Sequence, residues 1–90
     1  MSIQIAVHKT HRQFTEGAEQ VSVEGKTVGE CFNALIARYP KMQAVLFDDK
    51  GRLKNTLEIY VNMESAYPDE LKKPVKNGDV IHIALMLAGG

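Results

Sequence analysis

Gly78-Asp79-Val80-Ile81-His82-Ile83-Ala84-Leu85-Met86-Leu87-Ala88-Gly89-Gly90 decides how the rest of this 90-residue chain is read. Asn77-Gly78-Asp79 is turn chemistry, because Asn and Gly tolerate positive φ and Asp can bond its own backbone. From Val80 to Leu87 every residue except His82 is apolar, and no Gly or Pro interrupts the run. Such a run is either a strand covered on both faces or a piece of buried helix. Its length suits a strand and no helix cap follows it, so a strand is the expectation. Ala88-Gly89-Gly90 then projects from the sheet, and glycines without a Cβ cannot pack and stay flexible. That end is either a frayed terminus or a carboxylate set where a partner can reach it. The stretch alone leaves both readings open.

Outward from it, two other segments have strand periodicity at the opposite end of the chain. Ile3, Ile5 and Val7 alternate with Gln4, Ala6 and His8, and Val21 and Val23 alternate with Gln20, Ser22 and Glu24. The polar stretch from Lys9 to Ala18 reads as a long hairpin loop between them. Thr27-x-x-Glu30 is a capping box, in which the hydroxyl accepts from the third helical N–H and the carboxylate returns to the cap's own N–H. Val28, Cys31, Phe32, Leu35, Ile36 and Tyr39 then fall on one helical stripe, with Glu30, Asn33, Ala37 and Arg38 facing away. Pro40 ends the helix.

Lys41 to Leu57 is expected to be a short irregular β region, with Asp48-Asp49-Lys50-Gly51 as a turn between Leu46-Phe47 and Leu53. Leu57, Ile59 and Val61 alternate with Glu58, Tyr60 and Asn62 as a strand. Glu64 to Lys76 carries Pro68 and Pro74 and is expected to be loop, with one helical turn around Asp69–Lys73. The order ββ, helix, β, loop, β predicts an α+β fold. The most apolar strands, first and last, sit together in a mixed sheet of four to five strands, with the helix on one face. This is a ubiquitin-like β-grasp arrangement, with a crossover from the second strand through the helix. Residues 1–86 are expected to form the domain and 87–90 a flexible Gly-Gly tail.

Composition narrows the function classes. Eleven basic and eleven acidic residues give zero formal net charge, so no basic field exists to hold nucleic acid or anionic lipid. No apolar run approaches a bilayer span. One cysteine forms no internal disulfide and fits a reducing compartment, and no leader pattern precedes Ile3, so a cytoplasmic location is expected. Catalytic and metal-binding candidates are weak. Cys31 lies on the inward helix stripe, where a thiol is packing. His8 and His11 lack a third ligand, and no metal site is expected. His82 falls on the sheet face opposite the helix. Asp48-Asp49-Lys50-Gly51 lacks the later oxygens of a calcium loop, and there is no glycine pattern for phosphate. No bound cofactor and no catalysis by the chain itself are expected. If Ile81, Ile83 and Leu85 point at the helix, then Val80, Ala84 and Met86 point outward beside Ala6. That apolar face is either a partner surface or is covered by the final loop.

The motifs Val23-x-Gly25-x-Thr27-Val28, Ile59-Tyr60-Val61-Asn62, Asn77-Gly78-Asp79 and Ala88-Gly89-Gly90 span most of the chain. In that order and spacing they resemble the ubiquitin-like sulfur-carrier family that includes MoaD, ThiS and CysO. Arg12, Asp48 to Leu53 and Tyr60-Val61-Asn62-x-Glu64 are most similar to the CysO-like branch, although Met86-Leu87 stands where MoaD and CysO types tend to carry a proline. The resemblance implies that Gly90, reached through Leu87, Ala88 and Gly89, is the working end. A ubiquitin-activating-type adenylating enzyme (MoeB/ThiF-like) would bind the outer face and consume ATP to activate the Gly90 carboxylate. Gly90 would then become a thiocarboxylate that feeds a sulfur-accepting synthase in molybdopterin, thiamine or amino-acid biosynthesis. The alternatives are a ubiquitin-like modifier joined through Gly90 to lysines, and an interaction module whose Gly-Gly end is incidental.

Overall fold

The computed structural model describes residues 2–85. Its elements are β1 (Ile3–Ala6), a 3-10 segment (Lys9–Thr15), β2 (Gln20–Val23), α1 (Val28–Arg38), α2 (Met42–Leu46), β3 (Leu57–Val61), β4 (Glu64–Ser65), a second 3-10 turn (Glu70–Lys72) and β5 (Val80–Leu85). The five strands form one mixed sheet in the order β2-β1-β5-β3-β4. β1 and β5 run parallel, with Ile5 opposite Ile81, and every other pairing is antiparallel. The most apolar strands therefore lie side by side, and β2 and β3 flank them on opposite sides.

α1 forms as its spacing dictates. Val28, Cys31, Phe32 and Leu35 are fully buried, whereas Glu30, Asn33, Ala37 and Arg38 are exposed. These side chains meet Ile3, Ile5, Ile59 and Ile81 from the sheet in one continuous core. The Thr27 hydroxyl accepts from the Glu30 N–H at 3.2 Å. The returning half of the capping box differs from expectation, because Glu30 Oε1 accepts from the Lys26 N–H at 2.9 Å. The chain before the cap is drawn out against Lys73–Val75, where Val28 N–H donates to the Lys73 carbonyl and Val75 N–H to that of Lys26. That places Lys26 N–H at the carboxylate. Gly25 is needed here, since a Cβ at this position would lie 2.9 Å from both the backbone nitrogen and the Sγ of Cys31.

Three segments depart from the sequence expectations. Lys9–Thr15 is a 3-10 segment rather than an open hairpin loop, anchored by Thr15, which is fully buried and whose hydroxyl donates to the Arg12 and Ala18 carbonyls. Met42–Leu46 is a short helix rather than irregular β, because Met42 and Leu46 at i, i+4 both reach the core. Only the single bridge Phe47–Leu53 remains of the expected β region. Finally, Glu64–Ser65 is a fourth strand. Asn62 (φ 52°) and Met63 (φ 71°) both adopt the left-handed region, which makes the tight turn that pairs Val61 with Glu64. The helical turn expected near Asp69–Lys73 is present at Glu70–Lys72.

Candidate functional site

β5 is the axis of any site built on the C-terminal end, and its start is held by a knot of polar contacts. Asn62 Nδ2 donates to Asp79 Oδ1 at 2.8 Å, and Asn62 Oδ1 accepts from the Val80 N–H at 2.9 Å. Asp79 Oδ2 accepts from the Lys76 N–H at 2.9 Å. These bonds, the Asn62 amide first, favour the ionised form and hold the Asp79 carboxyl below the ordinary carboxylate range. Asn77 Oδ1 accepts from the Ser2 N–H at 2.7 Å, which ties the start of β1 to the same turn. Gly78, at φ +92°, supplies the left-handed residue that the turn requires. Two of the sequence motifs, Tyr60-Val61-Asn62 and Asn77-Gly78-Asp79, are thus one structural unit.

From that knot β5 runs to Leu85, which pairs with Leu57 at the far end of β3. Ile81 and Ile83 point into the core as expected, whereas Leu85 is 38% exposed although its partner Leu57 is buried. Met86, Leu87, Ala88, Gly89 and Gly90, the expected working end, lie outside the described residues, as does the boundary between domain and tail.

The face opposite α1 carries half-buried Ala6, Val80 and Ala84 as the alternation predicts, with Gln4 opposite Val80 and His82 opposite Ala6. The face is more polar than the sequence reading implied. His82 sits between Ala6 on β1 and Tyr60 on β3, and Glu58 stands opposite Ala84. The Tyr60 hydroxyl donates to Glu58 Oε2, and that carboxylate raises the Tyr60 pKa. Alternation along Leu57–Val61 was the signal for both residues, since it already turned Glu58 and Tyr60 away from the helix.

The remaining chemically capable residues serve the fold. The Cys31 thiol is buried, its pKa pushed up to about 11 by desolvation and then by the Glu30 charge, so it is no nucleophile near neutral pH. His8 Nδ1 accepts from the Thr10 N–H at 3.2 Å, and its ring centroid lies 6.2 Å from that of His11. Asp48 Oδ1 accepts from the Lys50 and Arg52 amides at 2.9 and 3.0 Å, closing its own turn. Among the described residues, no group of three His, Cys, Asp or Glu could hold a metal ion, and no helix is long and apolar enough to cross a membrane.

The five-stranded mixed sheet with α1 packed on one face is a ubiquitin-like β-grasp fold. The chain belongs to the ThiS family, whose model matches residues 5–90. Its fold is that of CysO in the Amycolatopsis orientalis BexX/CysO complex, at 28% identity and a TM-score of 0.87 over 98% of this chain and 99% of that one. Mycobacterium tuberculosis CysO is similar at 27% identity and a TM-score of 0.86, over 94% and 99% of the two chains. Haloferax volcanii SAMP1 shares the fold at 24% identity and a TM-score of 0.85, over the whole of both chains. These neighbours are small carrier and modifier proteins, not enzymes. The chain also matches the mitochondrial medium-chain acyl-CoA ligase ACSF2 of Danio rerio at 30% identity over 66 residues, but this spans only 11% of that protein's length.

Proposed function

We propose that this protein is a sulfur carrier whose Gly90 carboxylate is the reacting group. The observation that supports this reading most is the ThiS-family match, which extends from the folded domain through Gly89 and Gly90. A carboxylate resists nucleophiles because it is negatively charged and has no good leaving group. An adenylating partner removes both obstacles: a carboxylate oxygen attacks the α-phosphorus of ATP, pyrophosphate leaves, and an acyl-adenylate forms. Sulfide then attacks the carbonyl carbon, the acyl–oxygen bond breaks, AMP departs, and Gly90 is left as a thiocarboxylate. Residues without Cβ atoms suit this task, since Gly89 and Gly90 fit a narrow channel and allow close approach of an active-site backbone.

The docking surface in this reading is the outer sheet face that carries Ala6, Val80 and Ala84, and the partner also engages Met86, Leu87 and Ala88. A MoeB/ThiF-like enzyme would engage that face, and a sulfur-accepting synthase would use the charged carrier afterwards. A CysO of the same fold has been crystallised in complex with BexX, which fits a carrier that works by docking. The modifier reading uses the same activated Gly90 with a lysine amine as acceptor, and the fold shared with SAMP1 keeps it as the second choice.

The test is the intact mass of the protein after incubation with ATP, sulfide and candidate adenylating enzymes. Replacement of one oxygen by sulfur, lost on deletion of Gly90 and in Gly90→Ala while the melting curve stays unchanged, is the expected result. Thiocarboxylate formation that survives either change would overturn the assignment, and lysine-linked adducts without any sulfur-bearing species would establish the modifier.

A further inference from the structure

A groove of about 490 Å³ opens beside β3 on the side away from β5. Its accessible apolar surface comes from half-buried Leu53 and from Tyr67, 78% exposed, over Leu57 and Ile59, which are 4% and 1% exposed. Two half-buried carboxylates, Glu58 and Glu70, line it together with Lys54, Asn55 and Ser65. Neither is in an ion pair among the described residues. Glu58 receives only the neutral Tyr60 hydroxyl, and the raised Tyr60 pKa is the mark of the negative charge beside it. A half-buried carboxylate without a counter-charge is unfavourable, and two on one apolar groove leave a place for a cation. Lys54 borders the same groove and opposes a second positive charge there.

We propose that this groove receives a lysine or arginine side chain projecting from a partner protein. The aliphatic stem lies along half-buried Leu53, above the buried Leu57 and Ile59, as such stems do on apolar surface. The charged head stands between Glu58 and Glu70, in charge-assisted hydrogen bonds, with the Tyr67 ring beside it. The two glutamates outnumber the single Lys54, so the lining favours this occupant over the carboxylate of the chain's own C-terminus. The site is separate from the reaction at Gly90 and does not depend on it. Because Glu58 also belongs to the outer face, a partner seated on that face can reach around the edge of β3 into the groove.

The experiment is a titration of the full chain with the blocked peptide Ac-Ala-Arg-Ala-NH2 and with its citrulline counterpart, of the same shape but uncharged, followed by amide chemical shifts. The arginine peptide is expected to move the signals of Leu57, Glu58, Ile59, Tyr67 and Glu70 with an affinity on the order of millimolar. The citrulline peptide should leave them in place. Glu70→Gln should weaken binding about fivefold and Lys54→Gln should strengthen it about twofold, with unchanged far-UV spectra showing that both variants fold. Equal shifts from both peptides, shifts elsewhere on the molecule, or indifference to both substitutions would overturn the proposal. Groove signals that move on deletion of residues 86–90 would instead assign it to the chain's own end, and signals that move with protein concentration alone would assign it to a second copy.

Discussion

The two ends of β5 are held in different ways. At Val80 the strand begins in a knot of directed bonds, with Asn62, Asp79 and Asn77 fixing the turn to β1 and to the β3–β4 hairpin. At Leu85 it is held by the ladder to β3, and the side chain is 38% exposed. The first arrangement sets the register of a central strand, where a slip of one residue would turn Ile81 and Ile83 outward and His82 inward. Among the described residues, the second holds by packing and pairing. In the proposed carrier this division is useful: the polar end bears the cost of specificity, and the other can present Gly90 without disturbing the sheet.

The largest effect on that comparison is expected from Asn62→Ala, which removes both side-chain bonds and leaves a β-carbon residue at φ 52°. A loss of about 2 kcal/mol, or roughly 10 °C in the midpoint of thermal unfolding, should follow. A loss within experimental error would show that the knot does not secure β5. Met63→Gly at the adjoining turn should act in the opposite sense. Relief of the left-handed conformation at φ 71° is expected to stabilise by about 0.5–1 kcal/mol, read from denaturant midpoints.

The pH dependence of stability sharpens the same contrast. Because the Asp79 pKa is lowered on folding, its contribution is complete above the unfolded carboxylate value of about 3.9 and is lost as pH falls through the lower folded value. Melting curves between pH 7 and pH 3 should therefore fall more gently for Asp79→Asn than for the parent, with the difference confined to the acid side. The same slope in both would remove Asp79 from the account. At the far end of the strand, Leu85→Ala is expected to cost under about 1 kcal/mol, because much of that side chain is already in water. A larger loss would mean that the two ends are more alike than the contacts indicate.

Much of the fold was legible because its determinants are local and periodic. The Thr27 cap, the stripe from Val28 to Leu35 and the alternation of Ile3–Val7 and Leu57–Val61 each announce one element in one window of sequence. What was not legible depends on distant partners. Met42–Leu46 carries too short a pattern to distinguish a helical turn from a strand, and the core that receives Met42 and Leu46 decides it. The polar composition of Lys9–Thr15 reads as loop, yet the buried Thr15 hydroxyl, bonded to Arg12 and Ala18, winds it into a 3-10 segment. The Asn62–Met63 turn lacks the glycine that usually marks such a hairpin, and the Asp79 side chain, 17 residues away, supports the left-handed Asn62 instead.

The sequence by itself determined the β-grasp order, the inward helix stripe, the parallel union of the first and last strands and the family motifs, because hydrophobic period and turn chemistry act over a few residues. Tertiary structure alone decided that two of those motifs close on each other, that His82 stands between Ala6 and Tyr60 with Glu58 opposite Ala84, and that Glu58 and Glu70 border one groove. Those are contacts between residues far apart in the chain, and only the packing of the sheet, which no single window encodes, brings them within reach.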